Sequence, residues 1–164
     1  MPQELLFDLA SVDLAKTRIS IEEIRRHNPQ RFEFEQLDGI SYFNPQEEIA
    51  VAVRTLCEDE FWTKGHMPGM PIFPGVLLLE SAAQLCSFYT GATLKTGAVF
   101  GFGGADRVRF RRLLRVGDTL HLLAKPVNIS AKRSLFKTQG VVDGRLAFEA
   151  SIFGIALPPA DEGV

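Results

Sequence analysis

The sequence predicts an α+β fold, a curved antiparallel β-sheet wrapped around one long buried central helix. Two observations carry that prediction. From Gly75 to about Thr93 the chain is apolar on nearly every helical face, through Val76, Leu77, Leu78, Leu79, Ala82, Ala83, Leu85 and Phe88. A helix apolar all round is a buried one. After it come strand-like segments separated by turn residues, the last two joined by Asp143-Gly144, a two-residue hairpin signal. One long helix followed by a run of antiparallel strands leaves the sheet to cover the helix.

The elements follow in order. Ser20-Ile21-Glu22-Glu23 reads as a helix start, with Ser20 as cap and Glu23 in the capping-box position. That short helix ends before Pro29, because a proline restricts the residue preceding it. Phe32, Phe34 and then Ile40 to Phe43 predict short strands, with Asp38-Gly39 as a turn. Ile49, Val51 and Val53 alternate and predict a better strand. A loop carrying Pro68, Pro71 and Pro74 leads to the helix, whose roughly 19 residues at ~1.5 Å each span about 28 Å. Strands are then expected over 99–110, 119–129, 134–142 and 146–155, with a turn at Val116-Gly117-Asp118. Pro126 marks an edge or a bulge within the second of these. The whole of 1–164 is expected to form one domain, with an N-terminal extension over 1–18 and a tail over 158–164.

Composition narrows the function classes. The 164 residues are 46% hydrophobic and 23% charged, ordinary proportions for a soluble globular chain. A net charge of −2 gives no reason to expect nucleic acid or an anionic membrane surface. Cys57 and Cys86 lack metal-type spacing and read as reduced, partly buried thiols. The N-terminus does not read as a secretory signal, and the apolar run from Phe73 to Leu79 is too short to cross a bilayer. The protein is therefore expected in the cytoplasm.

The chemistry concentrates between Gly65 and Gln84. His66 heads a loop stiffened by prolines, which remove backbone freedom and N–H donors together. An imidazole there can take a proton near neutral pH. Glu80 sits one turn inside the apolar helix, where a glutamate needs a partner or a task. Dry surroundings would favour its un-ionised form and let it donate a proton. Gln84, at i+4 on the same face, is placed to hold its carboxyl. Gly75 and Val76 open the helix, where the first N–H groups lack partners and can bind a carbonyl oxygen that becomes an enolate. Phe61, Trp62, Phe73 and Phe88 are candidates to line an apolar passage, with core packing as the default. His27 and His121 have no catalytic neighbours in sequence, and Cys86 is expected in the core. No metal-ligand cluster or phosphate-cradling loop is evident.

The run from Gly65 to Glu80, GHMPGMPIFPGVLLLE, with Gln84 four residues on, resembles the active-site signature of the β-hydroxyacyl-acyl carrier protein dehydratases of bacterial type II fatty-acid synthesis. The segments Gly104 to Arg112, Val116-Gly117-Asp118 and Val142 to Ala147 are similar to that family's later blocks, and the likeness spans roughly 19–157. The resemblance implies a hotdog fold, a homodimer or a trimer of dimers, and a reaction without cofactor. It implies dehydration of a (3R)-hydroxyacyl chain on the phosphopantetheine arm of acyl carrier protein to a trans-2-enoyl thioester. His66 would remove the C2 proton, Glu80 would protonate the departing hydroxyl, and Gly75 or Val76 N–H would hold the thioester oxygen. The family pairs the histidine of one subunit with the glutamate of the other; spacing alone permits either arrangement. Glutamate at 80, where the dehydratase-isomerases carry aspartate, implies the non-isomerising branch. Phe32 and Met67 depart from the family's usual tyrosine and phenylalanine, and bear on the tunnel and its chain-length preference.

Acyl carrier proteins are acidic, and Arg107, Arg109, Arg111, Arg112, Arg115, Lys132 and Arg133 are the densest basic set. Arg107, Arg109 and Arg111 share one strand face by alternation and form a candidate docking patch, against the plainer reading of a charged strand edge. Two rival functions stand beside dehydration. One is a thioesterase or hydratase acting on coenzyme A thioesters; the other is a non-catalytic subunit that binds acyl carriers.

Overall fold

The computed structural model describes residues 4–158, so the tail expected over 158–164 lies, after its first residue, outside the described residues. Seven strands form one antiparallel sheet in the order β1-β2-β3-β5-β6-β7-β4. They are β1 (Ile19–Ser20), β2 (Gly39–Asn44), β3 (Ile49–Thr55), β4 (Phe100–Phe110), β5 (Thr119–Ile129), β6 (Arg133–Val142) and β7 (Arg145–Ala156). A one-turn helix α1 (Ile21–Ile24) follows β1, and the long helix α2 (Gly75–Leu94) links β3 to β4. This is the hotdog architecture: α2 packs on β3, β4, β5, β6 and β7, and the sheet curves around it.

Strand alternation decides which side chains meet the helix. Ala50 and Ala52 of β3 face inward with Leu120, Leu122, Phe136, Phe148 and Ile152, against Leu78, Ala82, Leu85, Phe88 and Tyr89 of α2. Full burial of such side chains contributes about 1.5–3 kcal/mol each. Ile49 and Val51 point the other way. With Leu123 and Val141 they form a second cluster on the outer face, covered by Leu5, Leu6, Phe7, Leu9 and Leu14. The N-terminal segment is held there by Gln139, whose Oε1 accepts from Leu6 N–H at 2.8 Å and whose Nε2 donates to Glu4 O at 3.1 Å.

Turn chemistry fits the ends. Asp143 and Gly144 both take positive φ, 51° and 69°, as a two-residue hairpin that follows the sheet twist requires. β5 bulges between Pro126 and Asn128, which places the proline in an interior strand without a broken ladder. Helix α2 ends at Lys95 in the left-handed region, its N–H bonded to Gly91 O at 3.2 Å.

Four local expectations are corrected. Phe32–Phe34 is a 3₁₀ turn, not a strand; Phe32 has φ 58°, and Phe34 O accepts from Gln84 Nε2 rather than from a neighbouring strand. Asp38-Gly39 is not a hairpin turn, because Gly39 already pairs with Val53 as the first residue of β2. Ser20 precedes α1 without a side-chain cap. Its hydroxyl bonds the Glu22 side chain and holds that carboxyl below its ordinary value. Of the two free cysteines, Cys57 is exposed rather than partly buried; Cys86 is buried, and burial pushes its thiol well up.

Candidate active site

His66 lies in a loop whose backbone closes on itself. Its N–H donates to Trp62 O at 2.8 Å, and its own carbonyl accepts from Ile72 N–H at 2.8 Å. Its ring Nδ1 lies 2.8 Å from Ile72 O. A carbonyl only accepts, so Nδ1 carries the proton and Nε2 keeps its lone pair as a base. The half-buried imidazole is thus oriented by a carbonyl six residues away.

Glu80 lies on α2 and is half-buried. Gln84, 3% exposed, donates from Nε2 to Glu80 Oε1 at 2.8 Å and to Phe34 O at 2.6 Å. Its Oε1 accepts from Gln36 N–H at 2.9 Å. All three bonds fix which end of the Gln84 amide faces the carboxylate. Asn28 Nδ2 reaches Gln84 O at 2.9 Å and ties the same turn to the segment before the 3₁₀ turn.

At the start of α2, Leu77 and Leu78 N–H turn to Pro74 O at 2.9 and 3.3 Å. Gly75 and Val76 N–H have no hydrogen-bond acceptor among the described residues. A side chain at 75 would meet the Phe110 ring, with a Cβ 2.9 Å from Cζ. Glycine therefore lets β4 pack against the helix start and leaves the two donors accessible. Phe110 itself stacks on Phe148 at 5.7 Å; nothing in the sequence pattern singles it out beside Gly75.

A cleft beside Glu80 is walled by Gln30, Ala83, Ser87, Phe100, Phe102 and Phe153, and His66 is not among its lining residues. His66 and Glu80 thus do not share that cleft within one chain. Trp62 and Phe73 are buried and meet edge to face at 5.3 Å. Phe61, Met67 and Phe32 are exposed, Phe32 to 85%.

Arg107, Arg109 and Arg111 gather around Glu149 on the outer face. Arg107 lines a groove with it, Arg109 is its cross-strand partner, and Arg111 pairs with its carboxylate. A bulge between Asp106 and Arg109 interrupts the register there. Arg112 pairs with Asp143 at 3.2 Å. Lys132 and Arg133 lie at the β5–β6 turn, their N–H groups on Ser130 Oγ at 3.4 and 3.1 Å. Among the described residues no cluster of three or more His, Cys, Asp or Glu side chains is placed to hold a metal ion. No helix there is long and apolar enough to cross a membrane.

A long helix cradled by a seven-stranded antiparallel sheet, with a loop histidine and a helix glutamate at the helix start, defines a class, and comparison with known proteins agrees with it. The model of the FabA-like domain matches residues 28–151, and the chain belongs to that family. More particularly, it is 37% identical over 140 residues to the 3-hydroxyacyl-[acyl-carrier-protein] dehydratase FabZ of Teredinibacter turnerae, covering 82% of this chain and 94% of that one. It is 33% identical to FabZ of Cupriavidus metallidurans, over 85% and 94% of the two chains. Among solved structures, the dehydratase heterocomplex ApeI:P from Xenorhabdus doucetiae superposes with TM-score 0.72 at 14% identity, over 83% of this chain and 91% of that one. A Haemophilus influenzae thioesterase reaches 0.59 at 15% identity, over 77% and 82%. Both of these likenesses are of fold alone.

Proposed function

We propose that this protein dehydrates a 3-hydroxyacyl group on acyl carrier protein to the trans-2-enoyl thioester, in fatty-acid biosynthesis. His66 Nε2 removes a C2 proton while the thioester oxygen, gaining charge as an enolate, accepts from Gly75 or Val76 N–H. Glu80 gives its proton to the 3-hydroxyl, the C3–O bond breaks and water leaves. Proton return from the imidazolium to the carboxylate resets the pair, so no electrons are exchanged and no cofactor is consumed. The observation that carries this reading is the Nδ1 contact to Ile72 O, which leaves Nε2 as the free base.

The base and acid that act together come from two protomers of a homodimer. β4 is an outermost strand of the sheet, and its rim exposes Phe102 and Phe110. An unpaired strand edge invites pairing with a second copy. Phe100, Gly101 and Phe102 of β4 also line the Glu80 cleft, so a copy paired there brings its own His66 loop toward the carboxylate. Two free cysteines suit the reducing cytoplasm in which acyl carrier protein is met, and the arginines around Glu149 supply positive charge for an acidic carrier.

The test is turnover of enoyl- and 3-hydroxyacyl-acyl carrier protein by the wild type, His66→Ala and Glu80→Gln, followed by enoyl absorbance and by free thiol together. Each variant is expected to lose at least ~10²-fold. Thiol release without enoyl chemistry would make the protein a thioesterase. Near-wild-type turnover in either variant would remove that residue from the mechanism.

A further inference from the structure

We infer that Arg54 and Gln36 are positioning residues which, through one buried polar network, hold both the His66 loop and the Glu80 carboxylate of the same chain. The inference rests on the roles given above to His66 and Glu80. Arg54, near the end of β3, is only 7% exposed. Its Nη2 pairs with Glu60 and lies 3.4 Å from Gln36 Oε1. Its Nη1 is 3.5 Å from Asp38 Oδ1 and donates to Thr55 O at 3.4 Å. The guanidinium also lies over the Phe73 ring, 5.9 Å from its centroid.

Towards the base, the network continues through Glu60. Its Oε2 accepts from Trp62 Nε1 at 2.8 Å, and its Oε1 from Cys57 N–H at 2.8 Å. Trp62 O then takes the His66 N–H. Phe73, which packs against both the Trp62 ring and the guanidinium, directly follows Ile72, whose carbonyl orients the imidazole. Arg54 therefore grips the incoming and the outgoing limb of the loop at once.

Towards the acid, the link is Gln36, 1% exposed. Its Oε1 faces Arg54, its Nε2 donates to Glu33 O at 2.8 Å, and its N–H fixes Gln84 Oε1. Gln84 then presents Nε2 to Glu80. Because the base and acid of one reaction belong to different protomers, each such network runs from one active site of the dimer to the other.

Stability alone is a poor account of this arrangement. A buried ion pair returns little net stability relative to well-packed apolar side chains, whereas geometry near a reacting centre is costly to lose. A positioning network and a merely structural one therefore separate experimentally. Gln36→Met and Arg54→Met/Glu60→Gln are assayed with enoyl-acyl carrier protein beside the wild type, and nitrogen-15 spectra of the imidazoles are assigned with His66→Ala. Both variants are expected to lower kcat by about 10²-fold with KM little changed. The Arg54/Glu60 variant alone is expected to shift the His66 ring nitrogens away from the single Nδ1–H tautomer. Wild-type kcat in a folded Gln36→Met enzyme overturns the inference. Should the wild type itself not turn over, the functional reading fails separately and the spectra decide the network. An unchanged His66 signal in the Arg54/Glu60 variant refutes it, and a shifted one sustains it.

Discussion

His66 and Glu80 stand at opposite extremes of how a chain orients a side chain. The imidazole is set by its own loop, through a carbonyl only six residues on. The carboxylate is set by Gln84, and Gln84 in turn by Phe34 and Gln36, which lie 50 and 48 residues away. The first contact closes within one short segment, which Arg54 of β3 braces from outside. The second exists only when helix, 3₁₀ turn and sheet have assembled. The contact that orients His66 is local and the one that orients Glu80 is tertiary.

The largest effect is expected at Gln84. Gln84→Leu leaves Glu80 without its donor and strands the buried Gln36 N–H and Phe34 O. The expected result is a kcat loss of about 10²-fold, with the buried Gln36 N–H costing about 1–3 kcal/mol in a denaturation experiment. The His66 nitrogen signals should stay in place, because that residue depends on none of these bonds. Next in size is Trp62→Ala, which removes a ring 3% exposed. It should cost about 3–5 kcal/mol in urea unfolding and loosen His66, leaving the Glu80–Gln84 bond intact.

Gly75→Ala acts at the start of α2, which follows the His66 loop and carries Glu80. Its Cβ meets the Phe110 ring, but that ring is half exposed and can turn aside. Stability should fall by about 1–3 kcal/mol, and kcat more than KM, with partial recovery in Gly75→Ala/Phe110→Leu. The smallest effect lies away from the site. Burial lowers the pKa of His121 from its ordinary 6.5. The unfolded chain therefore takes up a proton there before the folded one does, and stability is lost as pH falls from 6.5 toward the lower folded value. Above 6.5 the residue contributes no slope. In His121→Gln, urea midpoints at about pH 7.5 and about pH 5.5 should lie closer together than in the wild type.

The same division between local and assembled explains what could be read in advance. The helix expected from Gly75 to about Thr93 ends at Leu94, because an unbroken apolar run at helical spacing admits no other use. The Asp143-Gly144 hairpin was equally legible, since its turn needs two residues that accept positive φ. The aromatic alternation of Phe32 and Phe34 imitates a strand, yet Glu35 N–H takes Phe32 O in a tight turn and the remote Gln84 side chain takes Phe34 O. The outer cover by Leu5, Leu6, Phe7 and Leu9 had no signature, because a short amphipathic segment becomes legible only once the face it covers exists. Within the site, His66, Gly75, Glu80 and Gln84 fall in one contiguous motif and could be picked out. Gln36, Arg54, Glu60 and Phe110 come from four separate segments, and only the folded sheet brings them to it.

The proposed reaction has an imidazole and a carboxylate from different copies of the chain act on one substrate. Co-expressed His66→Ala and Glu80→Gln chains, purified as mixed dimers by two tags, test it most directly. Each homodimer should be inactive, whereas every purified mixed dimer keeps one intact site of two and restores about half of wild-type turnover. If the mixture stays as inactive as the separate variants, while the tags show that mixed dimers have formed, pairing across the two protomers is contradicted.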